Sequence, residues 1–135
     1  MQPIIEQKLQ SEFRSALAAM KAKKYAIAVK QFREIIRVAP NHGPSHLHLG
    51  TLYKLGGHAD AAVMHLGTAA KIMPKEPAVQ IQYGVALGSV GSFKKAVAAL
   101  NKAERLAPKS VDVLGHFAHL YQLMGALKKA EFYLR

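Results

Sequence analysis

Along residues 46 to 72 the apolar pattern starts, stops and starts again. His46, Leu49, Gly50 and Tyr53 recur at steps of three and four, which returns them to one face of a helix. Gly56 and Gly57 interrupt that face, because glycine readily takes the left-handed conformation that follows a helix C-terminus. A second amphipathic run, Ala59, Ala62, Val63, Leu66, Ala69 and Ile72, then leads to Pro74, whose missing N–H cannot extend a helical hydrogen-bond ladder. The pattern predicts two helices joined by a tight turn.

The same pattern recurs at a fixed interval. Pro40, Pro74 and Pro108 stand 34 residues apart, and so do Ala28, Ala62, Ala96 and Ala130. Phe32, Leu66, Leu100 and Leu134 keep this step, as do Gly57, Gly91 and Gly125. A small-residue column, Ala16, Gly50, Gly84 and Ala118, follows a bulky one, Leu49, Tyr83 and Phe117. Small side chains in register let two helix backbones approach, and the bulky neighbours fill the space beside them. An internal repeat of this length signals stacked supersecondary units.

These residues resemble the tetratricopeptide repeat, from residue 9 to residue 135, in units of approximately 9–42, 43–76, 77–110 and a truncated 111–135. The resemblance is carried in the second unit by His46, Leu49, Gly50, Tyr53, Gly57, Ala62, Leu66, Ala69 and Pro74, and in the third by Gln80, Tyr83, Gly84, Leu87, Gly91, Phe93, Ala96, Leu100, Ala103 and Pro108. The fourth keeps Leu114, Phe117, Ala118, Tyr121, Gly125, Leu127 and Ala130. In the first, Glu12, Ser15 and Ala19 stand at normally bulky positions and Ile35 at a normally small one. The resemblance implies an all-α protein, a right-handed α-solenoid of antiparallel helix pairs with about three and a half units, whose first helices line a concave groove. No polar capping helix follows Arg135, so the expectation is a piece of a longer protein or stacking of open repeat ends into a homo-oligomer.

By the same resemblance the lining includes Phe13, Leu17 and Met20 in the first unit, Leu47, Thr51, Lys54 and Leu55 in the second, Ile81, Val85 and Ser89 in the third, and His119 and Gln122 in the fourth. So apolar a lining suits an amphipathic helix or an extended hydrophobic peptide. Two readings stand for Phe13, Leu17 and Met20: groove residues, or replacements for the missing core of the first unit with its helix turned by about 100°. Phe13 and Leu17 occupy positions where related proteins that grip acidic peptide C-termini carry Lys and Asn. A receptor of that kind is disfavoured.

Charge and chemistry narrow the classes further. A net charge of +11, from 19 Lys and Arg against 8 Asp and Glu, favours partners with acidic flanks. Lys94-Lys95 and Lys128-Lys129 sit where second helices begin, with Lys23-Lys24 at the equivalent turn, and read as solvated turn charges. The aromatics Phe32, Tyr53, Tyr83, Phe93 and Phe117 fall at packing positions rather than between basic residues, which disfavours nucleic acid. Asp112, His116 and His119 share a helical stripe, yet one helix does not gather the three or four converging ligands that a metal site needs, so no metal and no cofactor is expected. The glycines form no phosphate loop, and no carboxylate pair suits acid–base work, so no enzymatic activity is expected of this stretch. There is no cysteine, no apolar run long enough to span a bilayer and no signal-peptide pattern, so a cytoplasmic location is the default. The expected function is a scaffold for protein–protein interaction. The alternative is an accessory N-terminal array of a bacterial glycosyl- or sulfotransferase, which the lead-in "FRSALAAMKAKKY" resembles.

Overall fold

The computed structural model describes the backbone of residues 3–134 and the side chains of residues 4–128. Ala130, Leu134 and Lys129, which the repeat pattern singles out, lie outside the described side chains. The described residues form helices only: α1 (Pro3–Lys21), α2 (Tyr25–Val38), α3 (Gly43–Leu55), α4 (Ala59–Ile72), α5 (Pro77–Ser89), α6 (Phe93–Leu106) and α7 (Val111–Leu134). They divide into two units, Met1–Ile72 and Met73–Arg135. In the first, α1 pairs with α2 and α3 with α4, and α2 packs on α3. In the second, α5 pairs with α6, and α7 packs on both.

The columns explain the pairing. Ala28, Ala62 and Ala96 are buried, and so are Phe32, Leu66 and Leu100. A Cβ added at Gly50 would lie 2.7 Å from Cγ of Leu66, a distance that real Cβ atoms do not tolerate, so α3 and α4 meet where only a hydrogen fits. The turns follow the same step. Gly57 and Gly91 hold φ of 81° and 80°, and Lys23, the equivalent residue of the first hairpin, holds 62°. A side chain in that left-handed region costs about 1 kcal/mol relative to glycine.

In α1, Ala16 is fully buried, as Gly50 and Gly84 are in their helices, so the helix keeps the register of the column and is not turned by one residue. Phe13, Leu17 and Met20 nevertheless pack, half-buried, against a cluster that includes Ala16, Phe32, Ile35 and Leu49. They supplement the core without rotation. The polar Glu12 and Ser15 leave an open cleft of about 690 Å³ between α1 and α2, where Gln31 Nε2 donates to Ser15 Oγ at 3.0 Å.

The fourth helix pair is the main departure from the expected pattern. A turn is expected at Gly125, but α7 runs through it unbroken from Val111 to Leu134. Gly91 is followed by Ser92 at the N-cap position of α6, whereas Gly125 is followed by Ala126 and Leu127. Alanine is a poor N-cap and a strong helix former, and a helical glycine costs only about 1 kcal/mol, so continuing the helix wins. With no second helix folded back, α7 keeps the face that Val79 and Ala86 occupy in α5 and leaves the other uncovered. Val113 and Leu120 are buried, while Leu114, Ala118 and Tyr121, expected to pack, are exposed.

Candidate functional site

In the first unit the lining candidates come from α1 and α3. Phe13 reaches from α1 to the rings of His42 and His48, with centroid separations of 5.1 and 5.8 Å, and meets Phe32 edge-on at 5.8 Å. His48 in turn stacks on Phe32 at 5.5 Å. Leu47, Thr51 and Lys54 of α3 are half-buried, and Leu55 is 63% exposed. Thr51 Oγ1 donates to the Leu47 carbonyl at 3.0 Å, so its hydroxyl is spent on its own helix. The structure thus brings Phe13 together with the start and middle of α3, leaving Leu55 as the most open apolar side chain of the set.

In the second unit Ile81 and Val85 of α5 are half-buried, and Ser89 is exposed with its hydroxyl bonded to the Val85 carbonyl at 3.0 Å. His119 and Gln122 on α7 are exposed. Val85 and His119 share a crevice with Gly84, Gly88, His116 and Leu120 whose free volume of about 10 Å³ admits no more than a water molecule. This part of the face is a closed seam rather than an open slot. Gln122 is not among its lining residues.

His46 and Gln80 stand at equivalent repeat positions, and the repeat pattern alone does not say what they do. His46 Nε2 lies 2.8 Å from the Pro40 carbonyl oxygen, and Gln80 Nε2 donates to the Pro74 carbonyl at 3.4 Å. Both partners are the column prolines, six residues upstream, so each side chain ties the preceding loop to its helix. The repeated six-residue spacing from Pro to a polar donor was the available signal. Because the carbonyl can only accept, Nε2 of His46 carries a proton toward Pro40, and its Nδ1 lies 3.1 Å from Nδ1 of His65, within reach of one hydrogen bond between the rings. His65 also stacks on Tyr53 at 5.5 Å.

His42 caps α3: its Nδ1 accepts from the Ser45 amide at 3.3 Å and lies 2.7 Å from the Ser45 hydroxyl. Burial holds the His42 imidazole below its ordinary range, with His46 adding to the effect. Burial lowers His48 as well, and lowers His65 with help from His46 and Arg33. Burial therefore favours the neutral form of these three imidazoles. On the outer side of α2, Lys30, Arg33 and Arg37 form a basic stripe, with Arg37 paired to Glu34. No group of three or more His, Asp or Glu converges among the described residues. Among them, no helix is long and apolar enough to cross a membrane.

Comparison with known proteins gives the fold a name. Residues 78–110 match the tetratricopeptide repeat family. No curated protein matches the chain in sequence. Among solved structures, the first tetratricopeptide domain of Spaghetti (RPAP3), bound to the HSP90 peptide SRMEEVD, superposes with a TM-score of 0.79 at 15% identity, covering 90% of this chain and 94% of that one. The Yersinia enterocolitica type III secretion chaperone SycD, in complex with a peptide of the translocator YopD, gives 0.75 at 20% identity over 96% and 99% of the two chains. An O-GlcNAc transferase of Thermobaculum terrenum gives 0.77 at 18% identity, over 92% of this chain but 23% of that one. The fold is all-α, built from helix pairs of the tetratricopeptide type.

Proposed function

We propose that this protein is an interaction scaffold that takes a peptide or an amphipathic helix on the faces of its first helices, without itself performing a reaction. The observation that carries this reading is the pair of apolar side chains on α3, Leu47 half-buried and Leu55 open to solvent. Side chains of this kind, at helical spacing, accept the apolar anchors of an incoming segment. The peptides bound by two proteins of similar fold support the same use of the surface. Phe13 and Leu17 make the first-unit face apolar where an acidic tail would need cations, and the net charge of +11 favours a ligand whose acidic residues flank its apolar ones. Leu47→Glu with Ile81→Glu tests the reading. Capture of a partner from host extract is expected to be lost at both low and high salt with helicity unchanged by circular dichroism, and retained capture overturns the assignment.

A second reading is that the array is appended to a transferase domain. Its support is the fold shared with a portion of the O-GlcNAc transferase. The coding sequence beyond Arg135 tests it, since a catalytic domain in frame is expected there.

A further inference from the structure

Helices α2 and α4 both pack on α3 but barely meet each other. Over α3, between them, lies an open cavity of about 330 Å³ whose lining includes Arg33 and Ile36 of α2, Leu49 and Tyr53 of α3, and Met64 and His65 of α4. None of these residues is among the candidate lining of the first helices. Leu49 is buried and Ile36 half-buried, which gives the cavity an aliphatic floor. One wall is held in place: His65 stacks on Tyr53 at 5.5 Å and on His46 at 5.3 Å. Rings fixed in this way lose little freedom when a ligand arrives. On the α2 side, Arg33 is exposed and pairs with no carboxylate among the described residues, whereas Arg37 is already paired with Glu34. The charge of Arg33 reaches His65, whose imidazole it helps to hold below its ordinary range.

We propose that this cavity is a small-molecule site, separate from the groove of the first helices, that takes a free aromatic carboxylate, with the carboxylate on the Arg33 guanidinium and the ring over Ile36 and Leu49. Four features select that ligand. The one uncommitted guanidinium matches a single negative charge and can hold a carboxylate through two parallel hydrogen bonds, whereas a phosphate dianion would be left half-neutralised. The Tyr53 and His65 rings and the Met64 thioether are the contacts that an aromatic body prefers. A volume of about 330 Å³ lies at the lower end of those that hold a small ligand, room for one ring and its acid group. The surrounding helix backbones are hydrogen-bonded within themselves, so they have little to offer the amides of a peptide.

The test uses the full chain with isotope-labelled methionine methyl groups, titrated with phenylacetate, phenylacetamide and acetate and followed by NMR. Phenylacetate is expected to shift the Met64 methyl saturably while Met20 on α1 stays unmoved. Phenylacetamide lacks the charge and acetate lacks the ring, so each should bind about tenfold more weakly. Arg33→Gln is expected to bring phenylacetate down to the level of its amide. Arg105→Gln removes the same charge from α6 and should leave binding unchanged. Both side chains are exposed, so helicity by circular dichroism should be kept in the two variants. A Met64 methyl that does not move, an amide as effective as the acid, or equal losses in the two arginine variants overturns the proposal. N-acetylglycylphenylalanine presents the same ring and carboxylate at a peptide terminus, and tighter binding of it than of phenylacetate overturns the free acid as occupant.

Discussion

Hairpin α5–α6 and helix α7 are written on one pattern, yet the first folds back and the second runs straight. Both carry a small residue, a glycine 7 positions after it and a leucine 16 positions after it: Gly84, Gly91 and Leu100 against Ala118, Gly125 and Leu134. The difference lies at the turn. Ser92 leaves the helical conformation and opens α6, while Ala126 continues α7. Complementary packing columns are therefore not enough to close a hairpin; the local conformation at the turn decides whether they meet in one chain.

Truncating the large member of the column should separate the two cases most sharply. Leu66→Ala and Leu100→Ala, both buried, are expected to cost about 2–5 kcal/mol each. Leu127→Ala on the open part of α7 should cost less than about 1 kcal/mol at concentrations where the chain is monomeric. Urea unfolding measures all three, and an equal loss at Leu127 would mean that α7 is packed after all. The next effect concerns the small member. Gly50→Ala is expected to lose about 1–2 kcal/mol net of the better helix propensity of alanine. Gly84→Ala should lose less, since a Cβ there would stand 3.1 Å from Leu100 instead of 2.7 Å from Leu66.

Acidification should weaken the first unit. His42, His48 and His65 are held below their ordinary range by burial, so the folded state binds fewer protons than the unfolded chain. Their contribution is complete above about pH 6.5 and is lost as the pH falls through that value toward their depressed folded ones. The urea midpoint is expected to drop between about pH 7.5 and about pH 5.5, and His42→Asn, which keeps an acceptor at the cap, should reduce the drop. The smallest effect is a gain. Lys23→Gly should stabilise the first hairpin by about 0.5–1 kcal/mol, because it places at φ 62° the residue that Gly57 and Gly91 supply elsewhere. Thermal unfolding reads that increment, and no gain would place the cost of the first turn somewhere other than Lys23.

The candidate surface was legible in part. Leu47, Leu55 and Ile81 lie on first helices as their spacing predicts, because a helical face is a local property of sequence. The closure of Val85 and His119 into a narrow seam was not legible, since it depends on how closely α7 packs against α5. The ties from His46 and Gln80 to the prolines escaped for a different reason. Their column normally holds bulky apolar residues, and only the placed carbonyls of Pro40 and Pro74 reveal donors at work.

Periodicity by itself determined the helix class, the first three pairings and the residues at their interfaces, because a step of 34 repeats the same local choices of small, large and turn-forming side chains. Only the tertiary structure decided which face of α1 and α7 is covered, that Phe13 supplements a core while keeping Ala16 in register, and that the final glycine is spanned rather than turned. The last of these rests on a difference of about 1 kcal/mol between continuing a helix and ending it. A single turn residue, and the packing available to the segment beyond it, is enough to reverse it.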